Sequence, residues 1–340
     1  MINAVYRLIA PGMLDVAYKE IDITKNVVVR PEFLSICKAD QRYYLGTRDH
    51  DTLMKKLPMA LIHECVGTVV YDPTGTYKKG ETVIPVPNVP CKTDEFIAEN
   101  YLPSSYFCSS GHDGFLRDYV DMPPERLVRV PQGVNHKVAS FAELVSVSVH
   151  ACSRFIAFSH GRRERIGIWG DGNLGFITAL VLRYLLPEAK LCIFGTVAAK
   201  LAYFTFADEV YNVTAVPDNL RVDHAFECVG GEPSGRAIAQ IIDHINPEGT
   251  LALMGVSENL IGISTRMVLE KGLRLYGSSR SGVKDFQKTV DLFAQHPEMA
   301  SYLENIIGEV VPVYTIGDIH KAFAADAARN FGKTVLDWRK

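Results

Sequence analysis

Four residues in the N-terminal part of the chain carry side chains of the kind that hold metal ions. Cys37 sits in SICKAD, His63 and Glu64 are adjacent in LIHECVG, and Glu143 sits in FAELVSV. A thiolate, an imidazole and a carboxylate together suit zinc, which keeps or exchanges one position for water or substrate when it is catalytic. Taken singly, each has a duller explanation: a core thiol, a hydrogen-bonded strand histidine, a surface charge. Their joint presence gains meaning from a second motif downstream, RIGIWGDGNLG, from Arg165 to Gly175. A short apolar run meets Gly170-Asp171-Gly172-Asn173-Leu174-Gly175 and then the helix-like FITALVLRYLL, which reads as strand, glycine turn and helix. That is a dinucleotide cradle. Gly170 allows the turn, Gly172 lets the backbone approach a pyrophosphate, and Gly175 lets the helix pack on the strand, so unpaired helix N–H groups face the anion.

The next strand, Leu191 to Phe194, bears on which nucleotide is bound. A site that prefers NAD ends this strand with an acid that accepts the ribose 2′-hydroxyl and repels a 2′-phosphate. Here the position is Gly195, followed by the Thr196 hydroxyl and the Lys200 charge, which together suit a phosphate. NADP(H) is the expected cofactor, the alternative being a plain glycine turn with a solvated lysine.

These residues need elements to hold them. At 340 residues the chain exceeds the size at which one core keeps growing, so two domains are expected. A hydrophobic fraction of 47% and a net charge of −3 describe an ordinary globular protein and argue against nucleic acid as a partner. No apolar run reaches membrane-spanning length, and the first residues lack the pattern of a signal peptide, so a cytoplasmic location is expected. Seven scattered cysteines show no disulfide framework. Residues 1–144 hold short β-rich segments (VVVR, CVGTVVYD, ETVIPV, DYVDM). Residues 145–279 alternate strands and helices, which a parallel sheet accommodates. Residues 280–340 carry an amphipathic helix near Asp285 to Gln295, a strand near Val310 to Pro312, a helix near Ile316 to Ala327 and a final strand, GKTVLDW.

The order Cys-x-x-Asp, His-Glu-x-x-Gly, a Glu before the cofactor domain and then G-x-G-x-x-G resembles the zinc-containing branch of the medium-chain alcohol dehydrogenase family. More closely, ICKADQRYYLGTR, LPMALIHECVG, ENYLPSSYF, SSGHDGF, GIWGDGNLG, DHAFECVGG, VLEKGL and GSSRSG resemble the bacterial ribulose-5-phosphate reductases, also called ribitol-5-phosphate dehydrogenases. The resemblance runs nearly end to end. It implies an α/β chain: a GroES-like, mostly β catalytic domain, a Rossmann doubly wound parallel sheet, and a C-terminal return to the catalytic domain, with the active site in the cleft between them. On that pattern Cys37, His63 and Glu143 match zinc ligands, and Glu64 matches a residue that sits behind the metal or exchanges onto it. Asp40 matches the acid that fixes the tautomer of His63. Lys38 and Lys333 match basic positions that meet the cofactor pyrophosphate. The resemblance also implies NADPH-dependent reduction of D-ribulose 5-phosphate to D-ribitol 5-phosphate, a link to a ribitol-5-phosphate cytidylyltransferase supplying CDP-ribitol for teichoic acid or capsule, and a homodimer.

Two departures from the family pattern matter. Many relatives place Ser or Thr two residues after the zinc cysteine and His five after it, as a proton relay; this chain has Ala39 and Arg42. Protonation is then left to water, Glu64 or bulk solvent, while Arg42 offers a fixed charge to a substrate phosphate, as does Arg280 in GSSRSG. Secondly, only Cys91 and Cys108 lie between Pro87 and Gly111, too few for a structural site of four thiolates, so one zinc per chain is expected. Two rival readings remain open: a zinc polyol or alcohol dehydrogenase acting on an unphosphorylated substrate, and a nucleotide-binding protein without catalysis.

Overall fold

Two units make up the computed structural model, which describes residues 1–340: Met1–Ser146 together with Arg280–Lys340, and Val147–Ser279. The first is built on a seven-stranded sheet. Its strands lie in the order Leu127–Arg129, Thr82–Pro85, Glu64–Tyr71, Val27–Ser35, Lys333–Trp338 and Ile307–Val313, with Val120–Met122 pairing the start of Val27–Ser35. Val27, Val28 and Val29 are all fully buried, because this central strand is covered on both faces. Pro31, which has no N–H to give, falls where the register shifts between Pro31 and Phe33. Opposite it, a Cβ on Gly67 would come within 2.3 Å of the Arg30 carbonyl oxygen, so glycine alone lets these strands close.

Register explains why distant residues meet. Ser35 pairs Glu64 on one side and Val335 on the other. Cys37 follows Ser35 by two residues, His63 precedes Glu64, and Lys333 precedes Val335 by two, so one end of three neighbouring strands gathers all of them. The C-terminal segment therefore returns into the middle of the first unit's sheet. Helices Val283–Gln295 and Ile316–Ala327 and the strands around them match the periodicity of the sequence. Two helices between Cys37 and Pro58, Lys38–Tyr44 and His50–Lys56, do not announce themselves in it. Each has only seven residues, too short for an apolar period to register.

The second unit is a six-stranded parallel sheet ordered Glu209–Asn212, Lys190–Gly195, Arg165–Trp169, Val222–Glu227, Ile245–Leu253, Arg274–Gly277. In chain order within the unit this is 3-2-1-4-5-6, the doubly wound arrangement whose switch point lies beside its first strand. Trp169 stacks on Phe194, with ring centroids 3.7 Å apart, and anchors that strand to its neighbour. No helix of the protein is long and apolar enough to cross a membrane.

A buried histidine makes the second unit sensitive to acid. His224, fully buried, accepts the Thr250 N–H on Nδ1 at 3.1 Å, so its proton lies on Nε2, which donates to the Arg162 carbonyl at 3.0 Å. Burial, and then the neighbouring His160, push its pKa down to about 4. An unfolded histidine titrates near ~6.5, so between these values the unfolded chain takes up a proton that the folded unit refuses. Stability gained above pH ~6.5 is lost as pH falls towards ~4, by up to about 3 kcal/mol. Thermal melts from pH 7.5 to 4.5 should show this loss, and His224→Gln should flatten it even while lowering Tm; parallel slopes for the two proteins would refute the assignment.

Candidate active site

Cys37, His63 and Glu64 offer ligand atoms that all lie within 4.8 Å of one another. Zinc bonds of about 2.0–2.3 Å put tetrahedral donors roughly 3.3–3.8 Å apart, so small side-chain shifts suffice for these residues to share an ion. Cys37 is half-buried, while His63 and Glu64 are buried. The two ring nitrogens of His63 face different carboxylates. Nε2 lies 3.9 Å from Glu143 Oε2, and Nδ1 lies 3.5 Å from Asp40 Oδ1. Glu143, in the first turn of helix Ala142–Phe158, thus stands beside the tight trio rather than within it.

Asp40 is fully buried and richly bonded. It accepts the Cys37 N–H at 3.1 Å, the Ile62 N–H at 3.0 Å and the Ser109 hydroxyl at 2.6 Å. Burial would raise its pKa, but the facing His63 and these donors hold it below the ordinary carboxylate value. For His63 burial works against the charged form, and Asp40 and Cys37 more than offset it, so its pKa is raised. Glu143 is pushed up to about 7, chiefly by burial, with the imidazole of His63 opposing and the like charge of Glu64 adding.

Glu64 already has a cation. The Lys333 ammonium, 2% exposed, lies 2.9 Å from Glu64 Oε1 and 2.7 Å from Oε2, and also donates to the Ile36 carbonyl at 2.9 Å. The pyrophosphate role that the sequence resemblance gives Lys333 therefore needs correction: its charge is enclosed and committed to Glu64. Lys38 is exposed, with its ammonium 3.5 Å from Asp326 Oδ2 and 3.4 Å from the Arg329 carbonyl. Arg42 is half-buried in the last turn of Lys38–Tyr44. Arg280 lies over the Phe107 ring, 4.8 Å from its centroid, and Phe107 lies 5.3 Å from the His63 ring. Burial lowers the pKa of Arg280, against the pull of Glu143 and Tyr43.

In the other unit, Gly170 has φ of +132°, and a Cβ there would meet the Cys228 carbonyl oxygen at 2.8 Å. A Cβ on Gly175 would lie 2.0 Å from the Gly170 carbonyl oxygen, whereas Gly172, the N-cap of helix Asn173–Leu185, has open space. The turn is thus close-packed behind and open at the helix start that Asn173 and Leu174 begin. Gly195 has a reason beyond the missing acid, since a Cβ would meet Asp171 Cβ at 2.6 Å and Leu201 Cδ2 at 2.7 Å. Asp171 is a residue that sequence reasoning passed over. Its carboxylate accepts the Thr196 and Val197 N–H groups at 2.7 and 2.8 Å and the Thr196 hydroxyl at 3.2 Å, and lies 3.9 Å from Lys200 Nζ. Thr196 and Lys200, read from the sequence as a phosphate seat, are organised here around that internal anion. Ser109 was also passed over, because nothing local signals that its hydroxyl bonds a residue 69 positions away.

Comparison with known proteins gives these units relatives. The chain matches the alcohol dehydrogenase GroES-like domain over residues 24–132 and the zinc-binding dehydrogenase domain over residues 186–295. It is 53% identical over 339 residues to the ribulose-5-phosphate reductase of Bacillus spizizenii, covering 99% of each protein, and 53% identical over the same extent to ribulose-5-phosphate reductase 2 of Staphylococcus aureus. The crystal structure of S. aureus TarJ in complex with NADPH superposes with a TM-score of 0.90 at 47% identity, covering 100% of both chains.

If Asp40 orients the imidazole, Asp40→Asn should weaken zinc binding by roughly 10–100-fold, as other partners of metal-bound histidines do. Chelator competition on purified protein reads this, with a thermal melt as the control for folding. Wild-type affinity in the variant would show that His63 needs no such support.

Proposed function

The chain belongs to the zinc-binding medium-chain dehydrogenases, among the ribulose-5-phosphate reductases, and we propose that its Cys37, His63 and Glu143 hold the metal of this reductase, with Glu64 in reserve. The chain is an oxidoreductase that reduces D-ribulose 5-phosphate to D-ribitol 5-phosphate with NADPH, using zinc. The observation that supports the assignment of residues is the convergence of Cys37, His63 and Glu64 within 4.8 Å, with Glu143 Oε2 3.9 Å from His63 Nε2. When bound, zinc supplies a Lewis acid for the ketone oxygen, and NADPH supplies the hydride.

The protein's own groups prepare that chemistry. Cys37 offers a soft thiolate, and Asp40 faces the His63 Nδ1 and keeps its Nε2 for the metal. Glu143 is the better resting ligand of the two glutamates, because Lys333 already neutralises Glu64. Ala39 and Arg42 stand where a hydroxyl–imidazole relay would run, so the nascent alcohol takes its proton from water, Glu64 being held as a carboxylate by Lys333. Gly170 to Gly175 receive the pyrophosphate, and Thr196 and Lys200 receive the 2′-phosphate, which requires Lys200 to turn from Asp171. Arg280 and Arg42 are the first candidates to meet the sugar phosphate. One zinc per chain, a homodimer, a cytoplasmic setting and a downstream ribitol-5-phosphate cytidylyltransferase in teichoic acid or capsule synthesis complete the reading.

NADPH oxidation against keto-sugars with and without phosphate tests it. Ribulose 5-phosphate should exceed ribulose in kcat/KM by at least about a hundredfold, on the scale of a charge-assisted recognition of roughly 3 kcal/mol. Equal turnover of ribulose would favour an unphosphorylated polyol substrate. Cys37→Ser should lose zinc and turnover while NADPH still binds; full activity in the zinc-free variant would rule out the metal.

A further inference from the structure

A half-buried lysine near the metal residues has no anionic partner. Lys56, the last residue of helix His50–Lys56, donates to the Tyr43 hydroxyl at 3.0 Å and to the Ser110 hydroxyl at 2.9 Å, and forms no ion pair. Both partners are neutral. An ammonium has three N–H groups, so one remains after these two bonds. The ammonium also lies 5.8 Å from the centroid of the Tyr43 ring, so two hydroxyls and an aromatic face hold the charge in place without neutralising it.

Its neighbours connect it to the metal residues. Ser110 follows Ser109, whose hydroxyl bonds the Asp40 that faces His63. Ser109 has φ of +65°, a left-handed conformation that costs a residue with a side chain and lets two successive hydroxyls serve different partners. Arg280, another half-buried cation that makes no ion pair, has φ of +58° and stacks on the Phe107 that contacts the His63 ring. It is pinned on its C-terminal side. Ser281 shares a hydrogen bond of 2.7 Å with Ser146, and Glu99 accepts the Val283 N–H at 2.8 Å while holding Arg126 through both oxygens.

We propose that Lys56, positioned by Tyr43 and Ser110, is a specificity-determining residue that binds the phosphate of the sugar substrate together with Arg280. This rests on the reading above, in which the substrate is a phosphorylated ketose whose ketone meets the metal and whose phosphate lies three carbons beyond. A phosphate monoester dianion supplies the charge that both cations lack, and its oxygens take the unused ammonium N–H and the guanidinium fork. The Ser109–Ser110 turn fixes both ends of such a substrate, because one hydroxyl serves the histidine side and the next serves the lysine.

The test uses the full zinc-loaded chain and compares wild type with Lys56→Met and Lys56→Arg. In Lys56→Met the KM for ribulose 5-phosphate should rise at least tenfold with kcat within threefold. Competitive inhibition by inorganic phosphate should weaken in step, and Lys56→Arg should recover most of both. The ratio of kcat/KM for ribulose 5-phosphate to that for ribulose should fall about tenfold, while the KM for NADPH stays within twofold. A raised NADPH KM would place the lysine on a cofactor phosphate, and a fall in kcat at constant KM would make it a structural prop; either overturns the proposal. Should Lys56→Met not fold, Ser110→Ala, which frees the ammonium, is expected to raise the same KM severalfold, and no change there refutes the idea. A wild type inert towards ribulose 5-phosphate but active on another phosphorylated ketose would refute only the substrate named above, and the same comparisons would then run on that ketose.

Discussion

The first unit depends on a buried ion pair between residues 269 positions apart, Lys333 and Glu64. Both side chains are enclosed, at 2% and 0% exposure, so removing either alone would strand a charge at a cost of about 3–5 kcal/mol. Such a pair adds little net stability over an apolar one, and its value here is placement. It joins the C-terminal strand to the strand that begins with Glu64, across the Ile36 carbonyl that precedes Cys37. Sheet register and one internal charge balance therefore bring the segments of Cys37, His63 and Glu64 together, and the irregular backbone at residues 36–37 and 61–63 aims the side chains.

A parallel logic governs the nucleotide-binding unit. Asp171 lies inside the glycine turn and gathers backbone and side-chain donors from the Thr196 and Val197 stretch, so the turn after one strand is braced by the turn after the next. Gly195 is required by that bracing, since any side chain would meet Asp171 and Leu201. The position where the sequence points to cofactor preference is thus one that packing also constrains. Changing the preference by adding an acid at residue 195 would disturb the brace before it touched a ribose.

What could be read from the sequence divides along physical lines. The cradle was legible because its glycines, strand and helix are contiguous, and so were the second unit's alternating strands, whose local patterns carry their own evidence. The residue types at Cys37, His63, Glu64 and Glu143 declared a chemistry, but their meeting depends on the pairing of Ser35 with Glu64 and Val335, which no local pattern encodes. Lys333 shows the limit best. The family resemblance makes Lys333 a pyrophosphate contact, and only the three-dimensional register reveals that it faces a glutamate. Ser109, Ser110 and Lys56 were silent for the same reason, being polar residues whose partners lie far along the chain.

The placement of Lys333–Trp338 between Val27–Ser35 and Ile307–Val313 has a consequence for how the molecule comes into being. On the ribosome, every strand of the Val147–Ser279 sheet has been made by residue 277, so that unit can complete itself while synthesis continues. The sheet that carries Cys37 and His63 cannot; its central strand waits for Lys333–Trp338, which is made after the whole of the other unit. A chain stopped between residues 280 and 332 would hold every strand of the nucleotide fold and lack the partner of Glu64, so the metal centre can form only after the cofactor fold has been made.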